Sequence, residues 1–270
     1  MTRDKIKDFY AHAMEANRLE TEGFRLEGIR TKEIIERYTA GSSLEILDIG
    51  GGAGYYSFWL RENGHQVTLV DLSPANIEQV RKKSRSSGIA LKAFEVGDAV
   101  DLPYSNEQFD LVLLFGPLYH LIDRKERIKA LAEARRVLKP GGRLLTALIS
   151  RYASLIDGFQ RDLITDDRFF NMLMHDLETG IHLNKTDNLE YFTEAYFHTT
   201  NEIKAEIAES GLIFEKLIPV ESFGWMVKDF SEKEKDQEYM RKLQETIRTV
   251  ETMEDLFPIS PHLIAVSTRE

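Results

Sequence analysis

Short apolar runs alternate with amphipathic segments along most of this chain, from residue 44 onward. Continuous apolar runs of this length are typical of strands that a parallel sheet buries on both faces. The segments between them carry helix signals, such as Ser73-Pro74 at a start and Gly64, Gly88 or Gly211 at an end. The alternation predicts an α/β fold, a doubly wound parallel sheet with helices on both faces. The predicted strands include residues 44–49, 66–71, 109–115, 139–145, 212–220 and 261–268, and a further strand closes at residues 95–98.

Two segments depart from this alternation. Residues 1–40 have apolar positions at helical spacing, including Tyr10 and Ile34, and predict an N-terminal helical cap. Residues 151–198 hold eight of the 27 aromatic residues without strong periodicity, which favours a substrate lid. The alternative is a structural flap that covers the sheet edge. We therefore expect a single domain with a cap at 1–40, a core at 41–150, a lid insertion at 151–198 and a C-terminal completion of the sheet at 199–270.

A glycine-rich turn follows the first predicted strand. Asp48 lies in that strand, and glycines follow at positions 50, 51, 52 and 54. A glycine turn between a strand and a helix lets the backbone approach a ligand closely, and the helix N-terminus points its amides into the same turn. The next strand ends in Asp71, whose carboxylate can accept hydrogen bonds from both hydroxyls of a ribose. The pattern therefore predicts a cofactor that contains a nucleoside.

The glycine spacing separates two cofactor classes. A dinucleotide-binding turn needs a third glycine where this chain has Tyr55. The observed spacing, Asp48-x-Gly50-x-Gly52-x-Gly54, resembles that of the class I S-adenosylmethionine-dependent methyltransferases. Four later segments resemble the family in the right order: residues 95–99, the apolar strand 109–115, a helix from Asp123 to Leu138 with a capping-box-like start, and residues 139–145 with the turn Lys-Pro-Gly-Gly. More narrowly, the segments 116–121 (GPLYHL) and 260–266 resemble a bacterial small-molecule branch of that superfamily.

The resemblance implies a seven-stranded sheet, with the last strand antiparallel between the fifth and sixth, and S-adenosyl-L-methionine as cofactor. It implies that Asp98 binds the adenine amine, and we expect Asp48 to face the cationic amino end of the cofactor. Asp71 could instead cap the following helix, but Ser73 is already available as that cap. Ligands of open α/β sheets bind beyond the carboxyl ends of the strands. The expected cofactor contacts are Asp48, Gly50, Gly51, Gly52, Gly54, Tyr55, Asp71, Leu72, Asp98, Ala99, Phe115 and Gly116.

The catalytic candidates are His120 and Tyr119, directly after the fourth strand. Methyl transfer needs alignment above all, and a base only when the nucleophile must lose a proton. His120 could be that base or a structural histidine, and Tyr119 is favoured as a wall of the pocket. The segment 116–119 also resembles the Asn-Pro-Pro-Tyr motif of amine methyltransferases, but it lacks the asparagine that would hold an amine. The expected substrate contacts are Tyr119, His120, His182, Tyr196, His198, Glu221 and Trp225, with ordinary packing as the alternative for each histidine.

Composition limits the remaining possibilities. The 270 residues carry a net charge of −10, which disfavours nucleic acid as a partner. Zero cysteines exclude disulfides and thiolate metal sites, and the histidines show no H-x-x-x-H pair, so we expect no metal. No long apolar run predicts a membrane span, and the segment that begins at Met1 lacks the apolar centre of a signal peptide. We expect a cytoplasmic monomer or homodimer.

The sequence hypothesis is therefore a methyltransferase that acts on an O, N or S nucleophile of a small molecule. Three alternatives stay open at this point. A nicotinamide-dependent oxidoreductase is disfavoured by Gly54, Asp98 and the turn at 139–142. A methyltransferase that acts on tRNA is disfavoured by the missing basic surface. A methyltransferase that acts on a protein side chain stays open. A non-catalytic cofactor-binding subunit would keep the same glycine turn, because binding is not turnover.

Overall fold

A seven-stranded sheet forms the centre of the protein. The structure is a computed structural model that describes residues 18–270 apart from 22 and 187. Its strands run in the order β3-β2-β1-β4-β5-β9-β8. The first five strands pair in parallel, and β9 is antiparallel to both β5 and β8. The expected topology is thus confirmed. The strands are β1 Glu45–Ile49, β2 Gln66–Asp71, β3 Ala93–Val96, β4 Phe109–Leu114, β5 Leu138–Ile149, β8 Ile213–Pro219 and β9 His262–Thr268.

Helices cover both faces of this sheet, and their ends follow the local signals. The Ser73 hydroxyl accepts the Asn76 amide at 3.4 Å at the start of one helix. Thr199 and Glu202 form a complete capping box at the start of another. No helix in the described part of the chain is both long and apolar enough to span a bilayer. The α-helices are α1 Arg25–Thr39, α2 Tyr55–Glu62, α3 Pro74–Ser87, α4 Pro117–His120, α5 Arg124–Val137, α6 Ala153–Gln160, α7 Asp167–Thr179, α8 Thr200–Glu209, α9 Phe230–Lys233 and α10 Gln237–Val250, and short 3-10 turns lie at Arg18–Glu20, Leu163–Thr165, Leu189–Tyr191, Ser222–Met226 and Glu254–Ile259.

The N-terminal helix α1 is anchored across the end of the sheet. The fully buried Arg30 donates from Nε to the carbonyl oxygen of Val220 at 3.2 Å and from Nη2 to Glu251 at 2.7 Å. Breaking a buried pair of this kind costs about 3–5 kcal/mol, because the remaining charge loses its partner. The second helix expected within residues 1–40 is therefore present and firmly held. The first, with Tyr10, lies outside the described residues.

The insertion at 151–198 is more regular than its sequence indicated. It contains α6, α7 and a two-stranded ribbon of β6 Ile181–His182 and β7 Ala195–Tyr196. The expectation of weak periodicity was wrong, because Phe169, Met172 and Leu173 stand at helical spacing and are buried. They pack with Tyr191 into a small core of the insertion's own.

Candidate active site

The glycine turn between β1 and α2 has two kinds of glycine. A Cβ on Gly50 would collide with Pro117 and lie 2.9 Å from the carbonyl oxygen of Phe115. Gly50 is therefore glycine because the following loop packs against it. Gly52 has φ of +57°, and a Cβ there would meet nothing within 4 Å. Its open face is the place where the turn can accept a ligand.

The carboxylate of Asp71 joins the second strand to this turn. Its Oδ2 accepts the Gly52 amide at 2.9 Å, and its Oδ1 accepts the Ser73 amide at 2.8 Å and the Asn76 side chain at 3.0 Å. Burial raises the pKa of Asp71, against the effect of these three hydrogen bonds. An ionised carboxylate offers about four acceptor positions, so Asp71 can still accept from a ligand. The capping alternative was therefore partly right, since Asp71 supports the start of α3 as well.

Asp48 is fully buried under the same turn. Its Oδ2 accepts the Ser57 hydroxyl at 2.6 Å, whereas its Oδ1 has no hydrogen-bond partner. Burial and the charge of Asp71 raise the pKa of Asp48 to about 6, against the Ser57 hydrogen bond. A buried carboxylate oxygen without a partner is costly. A cation or donor arriving at this end of the turn would remove that cost.

The other expected cofactor contacts follow the strand ends. Asp98 accepts the Val100 amide at 3.2 Å from Oδ1, which is the ordinary role of an acid in a turn. Ala99 is buried and Leu72 is half-buried. Phe115 meets Tyr56 edge-on at 5.6 Å between ring centres, and Gly116 immediately precedes α4 with φ of +119°. Tyr55 begins α2, and Lys32 of α1 lies 4.4 Å above the centre of its ring.

His120 and Tyr119 lie on α4, a short helix that the sequence analysis did not predict. Their rings are 4.8 Å apart, and His120 is 5 % exposed. Burial lowers the pKa of His120 to about 4, against a hydrogen bond with the Glu194 backbone. The imidazole is thus neutral at physiological pH.

Phe192 from the insertion stacks on His120 with ring centres 6.0 Å apart. It has φ of +65°, an uncommon conformation for a bulky side chain. The insertion therefore covers the catalytic candidate directly. No sequence motif indicated this contact, because it depends on the path of the ribbon between β6 and β7.

Three expected substrate contacts have partners inside the protein. His182 bonds through Nδ1 to Asp176 and through Nε2 to the Tyr191 carbonyl, both at 2.7 Å. His198 lies 3.3 Å from Glu206, and burial lowers its pKa. Such internal contacts are what we expected of histidines with an ordinary packing role. We therefore leave both histidines out of the proposed substrate site.

Tyr196, the third of these residues, belongs to the same buried polar network. It donates to Glu202 at 3.0 Å, and the Arg127 guanidinium lies 3.6 Å over its ring. Arg127 in turn bonds to Glu206 at 2.7 Å and to the carbonyl oxygen of Leu121 at 2.9 Å. We leave Tyr196 out of the proposed substrate site for the same reason. The network joins the insertion to the loop that follows His120.

Glu221 and Trp225 lie beyond the end of β8. Glu221 is buried and bonds through Oε1 to His262 Nδ1 at 2.6 Å. Trp225 donates from its indole nitrogen to the carbonyl oxygen of Ile259 at 2.7 Å. His262 was not among the candidate site residues. The available signal was topological, since a last strand that runs antiparallel begins at the edge where the parallel strands end.

One group of potential metal ligands occurs among the described residues. Donor atoms of Glu27, Glu221 and His262 lie within 4.8 Å of one another. Arg18 donates to both carboxylate oxygens of Glu27, at 2.6 and 2.7 Å. The same oxygens that would hold a metal already hold a guanidinium, and His262 already bonds to Glu221. The cluster is satisfied as an ion-pair network.

Comparison with known proteins gives a family profile described as a methyltransferase domain, which matches residues 47–146. Methyltransferase GfsG of Streptomyces halstedii is 33% identical over 129 residues, 47% of this chain and 45% of that protein. The ubiquinone/menaquinone biosynthesis C-methyltransferase UbiE of Proteus mirabilis is 31% identical over 188 residues, 65% of this chain and 71% of that protein. The chain spans less than half the length of several curated relatives that it matches. Besides GfsG, two further methyltransferases are covered over 32% and 46% of their own lengths.

Solved structures share the fold at low sequence identity. An S-adenosylmethionine-dependent methyltransferase from Methanosarcina mazei superimposes with a TM-score of 0.60 at 21% identity, over 87% of this chain and 96% of that one. The [4+2]-cyclase SpnF superimposes with a TM-score of 0.56 at 15% identity, over 90% of this chain and 81% of that one. The fold is therefore common to proteins whose names describe different reactions.

Proposed function

Because this chain belongs to the S-adenosylmethionine-dependent methyltransferase family, we propose that it transfers a methyl group to a nucleophile on a small molecule. The cofactor of this family is S-adenosyl-L-methionine. The sequence analysis expected an oxygen, nitrogen or sulfur nucleophile. The name of the UbiE relative describes a C-methyltransferase, so carbon joins those three atoms in the proposal.

The observation that carries the proposal is the open face of Gly52 between two acids. A Cβ on Gly52 meets nothing within 4 Å, Asp71 bonds to its amide, and Asp48 keeps an oxygen without a partner under the same turn. These two carboxylates accept hydrogen bonds, so they suit a ligand with hydroxyls at one end and a cation at the other. A ribose and an amino-acid ammonium provide those groups.

Each residue of the turn has a separate proposed role. Asp71 accepts hydrogen bonds from the ribose hydroxyls, and Asp48 pairs with the ammonium group. Asp98, just beyond the end of β3, accepts the adenine amine. When bound, the cofactor supplies a methyl group that is already activated on sulfur, so the chain mainly aligns the acceptor and excludes water.

His120 and the insertion have proposed roles on the acceptor side. A neutral His120 can accept a proton from an acceptor that must lose one, while Tyr119 forms a wall of the pocket. Phe192 covers both from the insertion, which supports the proposal that residues 151–198 are a lid. The alternative for His120 is a structural role through the Glu194 backbone.

A small-molecule acceptor is favoured by charge. The net charge of −10 disfavours RNA as the acceptor, because RNA binding needs cationic side chains to neutralise its phosphates. Names of relatives also describe small-molecule methylation, as in a 2-methyl-6-phytyl-1,4-hydroquinone methyltransferase of Oryza sativa. These names belong to those proteins, and the acceptor of this chain is a proposal.

The test is methyl transfer into a fractionated extract. The purified protein is incubated with S-adenosylmethionine that carries a labelled methyl group and with an extract divided into small-molecule, RNA and protein fractions. We expect label only in the small-molecule fraction, and none with the variant Gly52→Val. Label in the RNA or protein fraction, or no enzyme-dependent transfer at all, would contradict the proposal.

A further inference from the structure

Glu221 and His262 form a fixed pair at the edge of the sheet where the acceptor is proposed to bind. His262 begins β9 and lies opposite Ile149, at the end of β5. Glu221 bonds to its Nδ1 at 2.6 Å. The second carboxylate oxygen of Glu221 accepts the Ser260 hydroxyl at 3.0 Å and the His262 amide at 3.3 Å. Glu221 therefore has no freedom to turn toward a ligand, but it fixes the imidazole ring.

The backbone beside this pair is strained. Ser222 has φ of +51° and is fully buried, and its amide donates to the Ser260 hydroxyl at 3.1 Å. A residue other than glycine rarely adopts this conformation, and such residues cluster at functional sites. Here the turn directs Glu221 back to His262.

Three segments surround the His262 ring. Glu27 of α1 lies 3.7 Å from Nδ1 and is held by Arg18. Asp157 of α6 lies close enough for its charge to interact with that of His262. Glu27 also interacts electrostatically with Tyr56, which packs on Phe115 beside the glycine turn. The ring thus lies between the N-terminal helix, the insertion and the strand ends that border the cofactor site.

The hydrogen bond to Glu221 occupies one of the two ring nitrogens of His262. Nδ1 is engaged by Glu221, and the side chain is 22% exposed. Burial alone would lower the pKa of His262, but the charges of Glu27 and Glu221 outweigh it and raise the pKa to about 9. Nε2 therefore carries a proton at neutral pH and is a donor, not a base.

We propose that the His262–Glu221 pair binds an ionised hydroxyl of the acceptor, so that the acceptor is a phenol or an enol bound as its anion. This inference rests on the proposed methyltransferase function and names the chemical class of its substrate. The hydroxyl proton passes to solvent on binding, so this acceptor does not need His120 as a base, and His262 keeps its own proton throughout.

The charges balance for either nucleophile. With oxygen, the lone pair forms the bond to the methyl carbon as the carbon–sulfur bond breaks, so anion and sulfonium become a neutral ether and a neutral thioether. With carbon, the same anion directs electrons to its ortho or α carbon, which forms the bond to the methyl carbon as the carbon–sulfur bond breaks. That carbon then releases its proton to water while the oxygen takes one up from water, so the product is neutral. Neither route needs a further reactant.

The test uses 4-nitrophenol, whose anion absorbs visible light, as a probe of the protein loaded with S-adenosylhomocysteine. Nitrobenzene, which lacks the hydroxyl, is the control ligand. We expect the bound probe to ionise about one pH unit lower than in water, a tenfold preference for the anion. The variant His262→Gln should lose this preference. The variant His175→Gln, at an exposed histidine of α7, should keep it.

A second variant tests the inference if His262→Gln fails to fold. Glu221→Gln keeps the shape of the side chain but removes its charge, and imidazole NMR should then show a lower pKa for His262 and a smaller preference for the anion. An unchanged preference in both His262→Gln and Glu221→Gln would overturn the inference. So would a wild type that prefers the neutral phenol. Titration with S-adenosylhomocysteine in the same samples separates the two proposals, because failure to bind it contradicts the proposed function instead.

Discussion

Replacing Gly52 by alanine should weaken cofactor binding while the fold is largely preserved. The added Cβ meets no protein atom within 4 Å, so the only cost to the fold is the positive φ of +57°. That conformation costs an alanine about 1–2 kcal/mol. A methyl group in the space that the cofactor should occupy costs ~1–3 kcal/mol of binding, or roughly 5- to 150-fold in affinity. Gly52→Val should abolish binding.

Gly88 provides a matched control for this prediction. It follows α3 with φ of +72°, and its Cβ would also meet nothing within 4 Å. Gly88→Ala should therefore lower the free energy of unfolding by a similar amount and leave the affinity for S-adenosylhomocysteine unchanged. Urea unfolding and titration calorimetry measure the two quantities. Equal affinity in the wild type and Gly52→Ala would refute the reasoning, because the open face would then be only part of a turn.

Further expectations concern Asp71, His120 and the insertion. Asp71→Ala should weaken S-adenosylhomocysteine binding in calorimetry by ~1.5–3 kcal/mol for each lost charge-assisted hydrogen bond, and should also destabilise the fold, because three internal donors lose their acceptor. His120→Ala should lower turnover roughly 10²–10⁴-fold with little change in cofactor affinity if His120 is the base, whereas a raised KM alone would indicate a pocket wall. As pH falls from 6.5 to about 4, urea unfolding should show the wild type losing stability relative to His120→Gln, because the unfolded wild-type chain binds a proton that buried His120 does not. Asp48, whose raised pKa acts in the opposite sense, is common to both proteins. Hydrogen exchange in residues 151–198 should slow when S-adenosylhomocysteine is added, and equal protection with and without it would make the insertion a static cover.

Local sequence patterns were sufficient for the sheet and the glycine turn. Asp71 and Gly52 were expected cofactor contacts because Asp71 ends a buried strand and Gly52 follows one, and a parallel sheet brings the ends of such strands to one edge. The hydrogen-bond partners of these residues could not be predicted from the local sequence. The hydrogen bond from the Gly52 amide to Asp71 joins residues 19 apart in the chain.

The acceptor side could not be predicted to the same depth. The pairing of Glu221 with His262 spans 41 residues and depends on the antiparallel pairing of β8 with β9, the strand that His262 begins. His182 was an expected substrate contact, but Asp176 and the Tyr191 backbone satisfy it within the insertion. Nothing in the local sequence distinguishes a histidine that faces a pocket from one with internal partners, because that depends on tertiary packing.

The most direct test of the central claim is calorimetric titration of the wild-type protein with S-adenosylhomocysteine and, separately, with NAD. The glycine turn, with Asp48 and Asp71 on either side of Gly52, should give saturable binding of S-adenosylhomocysteine at one site and none of NAD. Gly52→Val should eliminate the signal, and Gly88→Ala should retain it. Binding of NAD without S-adenosylhomocysteine, or full binding by Gly52→Val, would contradict the account.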